Sequence, residues 1–116
     1  FLLGDNKMAG KFELKVSKNG KYHFNLLAGN GQIILSSEMY ESKSAAENGI
    51  ASVSKNAADE GRFERRESAK GDPYFVIKAG NGQEIGRSEM YSSKASMENG
   101  IESVMKNAPG AETVEA

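Results

Sequence analysis

In the first half of the chain, apolar residues first follow the spacing of strands and then the spacing of a helix. The strings KFELKVS and KYHFNLLA alternate apolar and polar positions, as half-buried strands do, and QIILSS follows as a third strand. The pairs Asn19-Gly20 and Asn30-Gly31 between them favour tight hairpin turns in which both central residues take a positive φ. The pattern therefore predicts a three-stranded antiparallel meander.

The next stretch changes to helical spacing. Its apolar residues recur every three or four positions, at Ala46, Ile50, Val53 and Ala57. Ser42 or Ser44 can cap the start of this helix, and Ser44 with Glu47 has the spacing of a capping box. Asn56 stands where a helix can end in left-handed geometry.

The whole pattern occurs twice, and the second copy begins 51 residues after the first. The tract SSEMYESKSAAENGIASVSKNA matches RSEMYSSKASMENGIESVMKNA, and the alignment has no gap over residues 10–57 and 61–108. Glycine costs a helix about 1 kcal/mol relative to alanine. Its recurrence at Gly49 and Gly100 therefore predicts a close approach between each helix and the sheet.

Two such units predict an α+β fold that arose by tandem duplication. Each unit is β-β-β-α, and one unit alone would leave its apolar face uncovered. We expect about six antiparallel strands, two helices packed on one face, and a pseudo-twofold axis between the units. One shared core is expected around Phe12, Phe24, Ile34, Ile50, Val53 and their partners in the second copy.

The expected boundaries follow the repeat. Residues 8–58 form the first unit and 59–108 the second, and together they make one compact domain. Met8 begins the patterned part of the chain, so we interpret residues 1–7 as linker or added sequence, in preference to a natural extension. Residues 109–116 lack a core pattern, which predicts a flexible tail.

Composition narrows the class of protein. The 116 residues carry 15 Lys+Arg against 16 Asp+Glu, a formal net charge of -1, which disfavours a general nucleic-acid binder. The chain has no cysteine, which excludes disulfides and thiol chemistry and fits a reducing cytoplasm. A single histidine, His23, excludes a multi-histidine metal site. No apolar run reaches membrane-spanning length, and no cofactor is predicted.

The start of each predicted helix carries the same polar side chains. This helix-start set comprises Tyr40, Ser42 and Lys43 in the first copy and Tyr91, Ser93 and Lys94 in the second. Free N–H groups at a helix N-terminus attract anions, so the set is a candidate site for phosphate, a carboxylate or a partner. The alternative, which we favour, is a helix cap together with a tyrosine packed at the sheet edge.

Two other repeated features have ordinary structural explanations. The AGNG strings join two strands, so they lack the strand-to-helix context of a nucleotide-binding glycine loop. Glu38 and Glu89 recur, but no nucleophile or metal-binding cluster accompanies them, and catalysis needs such convergent groups. No catalytic, cofactor-binding or metal-binding residue is therefore predicted.

The two copies differ on their first strand and on the face that should lack helices. Arg65 and Glu67 replace Leu14 and Val16, and inward charges on an edge strand discourage aggregation; binding of a partner there is the alternative. The open face should carry His23, Asn25, Leu27, Ile33 and Leu35 in the first copy and Tyr74, Val76, Lys78, Glu84 and Gly86 in the second. Its apolar residues would either form an interaction patch or be covered by a curling sheet.

Four motifs occur twice in the same order: AGNGQ, SEMYxSK, ENGIxSV and KNA. With the start MAGKFEL, they resemble the YegP-like family of small bacterial proteins. The resemblance covers Met8 to about Ala108 and implies duplicated three-strand-plus-helix units. It implies no activity, substrate or catalytic residue.

Function is therefore predicted only as a class. The leading hypothesis is a non-enzymatic cytoplasmic module that binds a protein through the open sheet face or the helix N-termini. The alternative is a nucleic-acid-binding module in which Tyr74 stacks on bases. Its phosphate contacts would come from four basic residues: Arg62, Arg65, Arg66 and Lys70. An enzyme is the third hypothesis, and we expect a monomer or weak homodimer without a membrane partner.

Overall fold

The computed structural model describes residues 10–116, which form a mixed seven-stranded sheet with two helices on one face. The elements are β1 (Lys11–Val16), β2 (Tyr22–Leu27), β3 (Ile33–Ser36), α1 (Lys43–Asn56), β4 (Phe63–Glu67), β5 (Pro73–Lys78), β6 (Glu84–Arg87), α2 (Lys94–Asn107) and β7 (Glu112–Glu115). A short 3-10 turn, Glu60–Arg62, leads into β4. The prediction for residues 1–7 lies outside the described residues.

The two meanders lie side by side in the sheet order β4-β5-β6-β3-β2-β1-β7. β3 and β6 meet at the centre and pair at one position only, Ser36 with Arg87. Each helix also reaches the other repeat, since α1 contacts β5 and β6 while α2 contacts β3. The predicted α+β duplication is confirmed, with seven strands in place of about six.

One hydrophobic core lies between the helices and the sheet. It contains every predicted residue and its partner: Phe12, Phe24, Ile34, Ile50, Val53, Phe63, Phe75, Ile85, Ile101 and Val104. Two of the aromatic rings in each copy meet edge to face, with centroids 5.8 Å apart in the first and 5.7 Å apart in the second. Apolar burial stabilises a fold by about 25 cal/mol per Å². Because both repeats bury apolar side chains in this one core, the core joins them into one domain.

The hairpin turns differ from the predicted type. Among the described residues only glycines have a positive φ, for example 82° at Gly20, so Asn19 does not. The Gly20 N–H donates to the Ser17 carbonyl at 3.0 Å, and the Ser17 N–H donates to the Lys21 carbonyl at 2.8 Å. Such three-residue loops combine a type I turn with one left-handed glycine. The predicted pair of positive φ angles is therefore wrong.

The helix ends also correct a prediction. Ala57 follows α1 with φ -67°, so the helix continues in right-handed geometry past Asn56. The Asn56 side chain donates through Nδ2 to the Ser52 carbonyl one turn earlier, at 2.8 Å. Asn107 makes the same bond to Ser103. The asparagine side chains therefore bond back along their own helix, and the predicted left-handed end is wrong.

The C-terminal segment forms a strand. β7 pairs in parallel with β1, and the Ala116 N–H donates to the Leu14 carbonyl at 3.0 Å. The predicted flexible tail over residues 109–116 is therefore wrong for Glu112–Glu115. The strand forms where the tail can bond to the outward backbone groups of β1, a long-range contact that the local sequence pattern does not reveal.

A bulge in each copy changes which residues occupy the open face. Leu27 pairs with Ile33, but Leu26 pairs with Leu35, so β3 contains one extra residue. Leu35 consequently faces the helices and is 1% exposed. The same shift turns Gly86 to the helix side in the second copy. The predicted positions of Leu35 and Gly86 on the open face are wrong, because one extra residue reverses side-chain direction.

Candidate functional site

The tyrosines of the helix-start set pack against the core. Tyr40 stacks on Phe24 with ring centroids 6.2 Å apart. A Cβ on Gly49 would overlap the Tyr40 hydroxyl, which explains the helix glycine and confirms the predicted close approach. Burial and the neighbouring Glu38 carboxylate raise the pKa of Tyr40 above its usual value. The second copy repeats this arrangement with Tyr91, Phe75, Gly100 and Glu89.

The serines of the same set are helix caps. Ser42 Oγ accepts a hydrogen bond from the Ala45 N–H at 3.1 Å, and Ser93 Oγ accepts one from the Ser96 N–H at 3.1 Å. Ser42, not Ser44, is therefore the cap of α1. Each cap occupies one of the free N–H groups that an anion would use. Packing and capping thus account for the tyrosines and serines without a ligand.

The two lysines of the set have different surroundings. Lys43 Nζ lies 2.7 Å from Glu115 Oε2 of β7. The hydrogen bond to Glu115 raises the pKa of Lys43 above its usual value. Lys94 is exposed and forms no ion pair with any described residue. Of these two equivalent lysines, one therefore forms an ion pair and the other forms none with the described residues.

A serine in each repeated tract completes the sheet beside the core. Ser37 Oγ accepts from the Phe24 N–H at 2.9 Å, and the Ser37 N–H donates to the Phe24 carbonyl at 2.9 Å. Ser88 makes the same pair of bonds with Phe75. The sequence predicts no role for these serines, because a single serine at a strand end carries no periodic signal.

A groove of about 720 Å³ lies over the seam between β3 and β6. We call it the seam groove; residues 33–38 and 83–89 line it, and no helix residue does. It therefore opens on the face away from the helices. The single pair at Ser36 and Arg87 lets the two strands diverge on either side, which widens the seam.

The seam groove is rich in carboxylates. Glu84 pairs with Arg87 at 3.1 Å and with Arg66 at 3.2 Å. Glu38 and Glu89 are exposed and form no ion pair in the described part of the chain. Between residues 10 and 116, no three His, Asp or Glu side chains are grouped so that they could hold a metal ion. The charge of the groove thus favours a cationic contact.

A chain of ion pairs covers the open face of the second copy. Glu64 contacts Lys78 Nζ at 2.5 Å and Arg66 Nε at 2.7 Å. Hydrogen bonds from Lys78 and then Arg66 lower the pKa of Glu64 to about 2. The Arg87 guanidinium lies 5.5 Å from the centroid of the Tyr74 ring. Tyr74 is therefore already stacked within the chain.

On the same face of the first copy, β1 carries a Lys15–Glu13 ion pair at 3.5 Å, whereas β2 and β3 carry uncharged side chains. Ser36 Oγ donates to Asn25 Oδ1 at 2.8 Å, and Asn25 is buried. His23 has a buried Nδ1 atom with no hydrogen-bond partner among the described residues. Ile33 is 46% exposed beside Leu27. Within the described strands of this face, Ile33 is an exposed large apolar side chain, whereas Val76 of the second copy is buried.

The basic residues named for nucleic-acid binding do not share one surface. Arg66 lies opposite Tyr74 on the open face, Arg65 lies opposite Phe75 on the helix face, and Lys70 is in the β4–β5 turn. Each arginine is paired with carboxylates: Arg62 with Asp59, Arg65 with Glu98 and Glu60, and Arg66 with Glu64 and Glu84. These pairings leave little free positive charge for a phosphate backbone.

Neither helix of the described chain has the length and apolar character needed to cross a bilayer. The fold and the seam groove define a class of α+β proteins in which two fused repeats share one core and one uncovered sheet face. The chain belongs to the family described as "Domain of unknown function (DUF1508)", whose model matches residues 17–64 and 68–115. The two matches start 51 residues apart, the same offset as the sequence repeat.

Bacterial relatives match over most of their length. The UPF0339 protein MS1092 of Mannheimia succiniciproducens is 62% identical over 85% of this chain and 88% of its own. The UPF0339 protein YegP of Yersinia pestis is 60% identical over 84% and 88%. The solution NMR structure of yegP from E. coli superposes with a TM-score of 0.87 at 46% identity, covering 93% of both chains. The predicted resemblance is confirmed, and none of these descriptions states an activity.

The family unit does not coincide with the predicted unit. It starts at Ser17, so it takes in β2, β3 and α1 and ends inside β4 at Glu64. The second match likewise ends at Glu115, the last residue of β7. In this division β1 precedes the first unit, and the strand after each helix is the last strand of its unit.

Proposed function

We propose that this chain is a protein-binding module whose partner contacts the seam groove and the uncharged part of the open face on β2 and β3 beside it. The groove carries the proposal, because both repeats line it and neither helix covers it. Junctions between structural units are common places for ligand sites. Ile33 supplies apolar area at the groove, and Ser36 and Asn25 lie beside it.

The charge of the seam groove indicates the chemistry of the partner. Glu38 and Glu89 stand at its two ends without an ion-pair partner in the described chain, whereas Glu84 is neutralised by arginines. We therefore expect the partner surface to carry basic side chains. The same carboxylates would repel a phosphate backbone, so a protein is favoured over nucleic acid.

The hydroxyl groups of the groove support binding in preference to catalysis. Ser37 Oγ donates to the Glu38 carbonyl at 2.7 Å, and Ser88 Oγ donates to the Glu89 carbonyl at 2.8 Å. A serine nucleophile needs an adjacent base to take its proton. The helix starts contribute less to this surface, because the Tyr40 ring packs within the chain.

A pull-down from a bacterial lysate tests the proposed surface. Tagged wild-type chain is compared with Ile33→Lys, which places a bulky positive charge at the groove. Val16→Lys is the matched control, because Val16 is a β-branched side chain that is 57% exposed outside the groove. Each lysate is divided, and one half is treated with nuclease before capture.

The proposal predicts a protein that is captured by the wild type and by Val16→Lys, is lost with Ile33→Lys, and resists nuclease. Chemical-shift changes at residues 33–38 and 83–89 on adding that purified protein would locate it in the groove. Capture that nuclease abolishes would instead favour the nucleic-acid module. Undiminished capture by Ile33→Lys would show that another surface binds the partner.

A further inference from the structure

The first copy shows how this fold holds an added strand. β7 lies along the outer edge of β1 and runs parallel to it. The Ala116 N–H donates to the Leu14 carbonyl, and Lys43 at the start of α1 binds Glu115 of β7. The strand has the acidic sequence ETVE. Backbone pairing and one ammonium group thus hold a four-residue acidic segment in place.

The corresponding edge of the second copy is open. β4 is the counterpart of β1, and no described strand lies beyond it. Phe75 directs its N–H to Ser88 Oγ at 3.0 Å and its carbonyl to the Ser88 N–H at 2.9 Å, both on the β6 side. Arg65 pairs with Phe75, and antiparallel partners exchange either both bonds or none. The Arg65 N–H and C=O therefore point away from β5, outward from the edge of the sheet, just as the Leu14 carbonyl points to β7.

The charged groups beside this open edge include a lysine equivalent to the one that binds β7. Lys94 corresponds to Lys43, yet it forms no ion pair with the described residues. A depression of about 370 Å³ lies between the start of α2 and β4, and Lys94, Arg65 and Glu67 are among the residues that line it. Glu67 opposes an acidic ligand, whereas Arg65 stands where the first copy has Leu14. Arg66 and Glu98 also line it, so three basic and two acidic side chains give a net charge of +1. The equivalent positions beside β7 carry Lys15, Lys43 and Glu47, which also give +1, so the open site matches in charge the one that already holds an acidic strand.

We propose that the outer edge of β4 binds an acidic, extended segment of a partner protein. The segment adds as an eighth strand parallel to β4, as β7 adds to β1. One of its carboxylates then lies near Lys94 and Arg65, in the place that Glu115 takes beside Lys43. Main-chain hydrogen bonds supply most of the affinity in such strand addition, and side-chain charge supplies selectivity. This edge lies apart from the seam groove and binds independently of it.

The sequence of β4 permits an added strand. Prolines and bulges commonly block edge strands, and the described β4–β5 pairing has neither within Phe63–Glu67. Arg65 is bonded to Glu98 of α2 on the helix side. Its charge is therefore balanced within the chain and opposes an incoming strand less than an unpaired charge would.

The chain's own C-terminal sequence provides the probe. The synthetic peptide GAETVEA (residues 110–116) is titrated into the full ¹⁵N-labelled chain, with GAKTVKA as the charge-reversed peptide. Lys94→Glu tests the proposed ammonium contact. Lys70→Glu is the control, because Lys70 is an exposed lysine in the β4–β5 turn. Neither lysine is buried, so both variants should fold as the wild type does.

We expect the acidic peptide to shift the amides of Phe63–Glu67 and the basic peptide to leave them unchanged. Lys94→Glu should raise the peptide Kd by roughly fivefold, the upper effect of an exposed ion pair, and Lys70→Glu should not. Three results would overturn the proposal: no shift at millimolar peptide, shifts confined to β1 and β7, or equal affinity in Lys94→Glu. Concentration-dependent β4 shifts without peptide would assign the edge to a second copy instead.

Discussion

The outer surfaces of the two repeats differ at equivalent positions, while the aromatic centre of their core stays alike. On the open face, neutral residues of the first copy are replaced by apolar or charged ones at Asn25/Val76, Leu27/Lys78 and Ile33/Glu84. At the sheet edges, β7 covers β1 and no described strand covers β4. On the helix face, both copies keep the same phenylalanine pair and stacked tyrosine. Shared packing constrains the core of both copies, whereas exposed positions were free to diverge.

At the seam between β3 and β6, the two repeats cannot carry the same side chain at equivalent positions. Leu35 and its equivalent Gly86 come together on the helix side of the central strands. A Cβ on Gly86 would lie 2.7 Å from Leu35 Cδ2 and 3.2 Å from Ile77 Cγ2. Two large side chains at these positions would collide, so one copy carries leucine and the other carries glycine.

Truncating one isoleucine at a time tests whether the two helices contribute equally to the core. Ile50 and Ile101 are 7% and 2% exposed and belong to the same core. Ile50→Ala and Ile101→Ala should each lower the free energy of unfolding by about 2–5 kcal/mol. Urea denaturation followed by circular dichroism measures both, with Val16→Ala as an exposed control. An unchanged midpoint in either variant would show that its repeat does not contribute to the common core.

A smaller effect is expected where the copies must differ. Gly86→Ala should destabilise the chain by about 1–3 kcal/mol, because its Cβ overlaps Leu35. The double variant with Leu35→Ala should lose less than the sum of the single variants, since it removes the overlapping methyl groups. Thermal denaturation of the four proteins gives the coupling. Strict additivity would mean that Leu35 and Gly86 do not constrain one another.

The smallest effect concerns the charged open face of the second copy. Because Lys78 and Arg66 lower the pKa of Glu64 to about 2, its contribution to stability is present above its unfolded pKa. That contribution is lost as pH falls from about 4.3 towards 2. Glu64→Gln should therefore flatten this part of the stability profile, whereas Glu13→Gln at the equivalent position should change it less. Identical profiles for wild type and Glu64→Gln would contradict the ion-pair chain.

Local patterns in the sequence were sufficient for the elements and the core. Alternation around Phe12 and helical spacing around Ile50 place those residues on the faces that the structure buries. The ungapped repeat extended both assignments to the second copy. Gly49 was recognised as a contact point, although its neighbour is the Tyr40 hydroxyl rather than the sheet backbone. These successes depend on short-range periodicity, which a single sequence displays directly.

Features that depend on pairing between distant segments could not be predicted. The string ETVE has one apolar residue, so nothing local distinguishes β7 from a tail. The bulge that turns Leu35 inward changes the register without altering the apolar pattern. The seam groove arises because β3 and β6 pair only at Ser36 and Arg87. The unequal surroundings of Lys43 and Lys94 follow from the position of β7. A cytoplasmic location and the candidate anion site stay predictions.

Amide hydrogen exchange at the two sheet edges tests most directly whether one repeat is closed and the other open. Leu14 and Arg65 occupy equivalent positions, and their outward backbone groups face β7 and open space respectively. We predict that the Leu14 amide exchanges at least about tenfold more slowly than the Arg65 amide under native conditions, since only Leu14 has a strand beside it. Equal protection of both amides, or faster exchange at Leu14, would contradict the difference between the two edges.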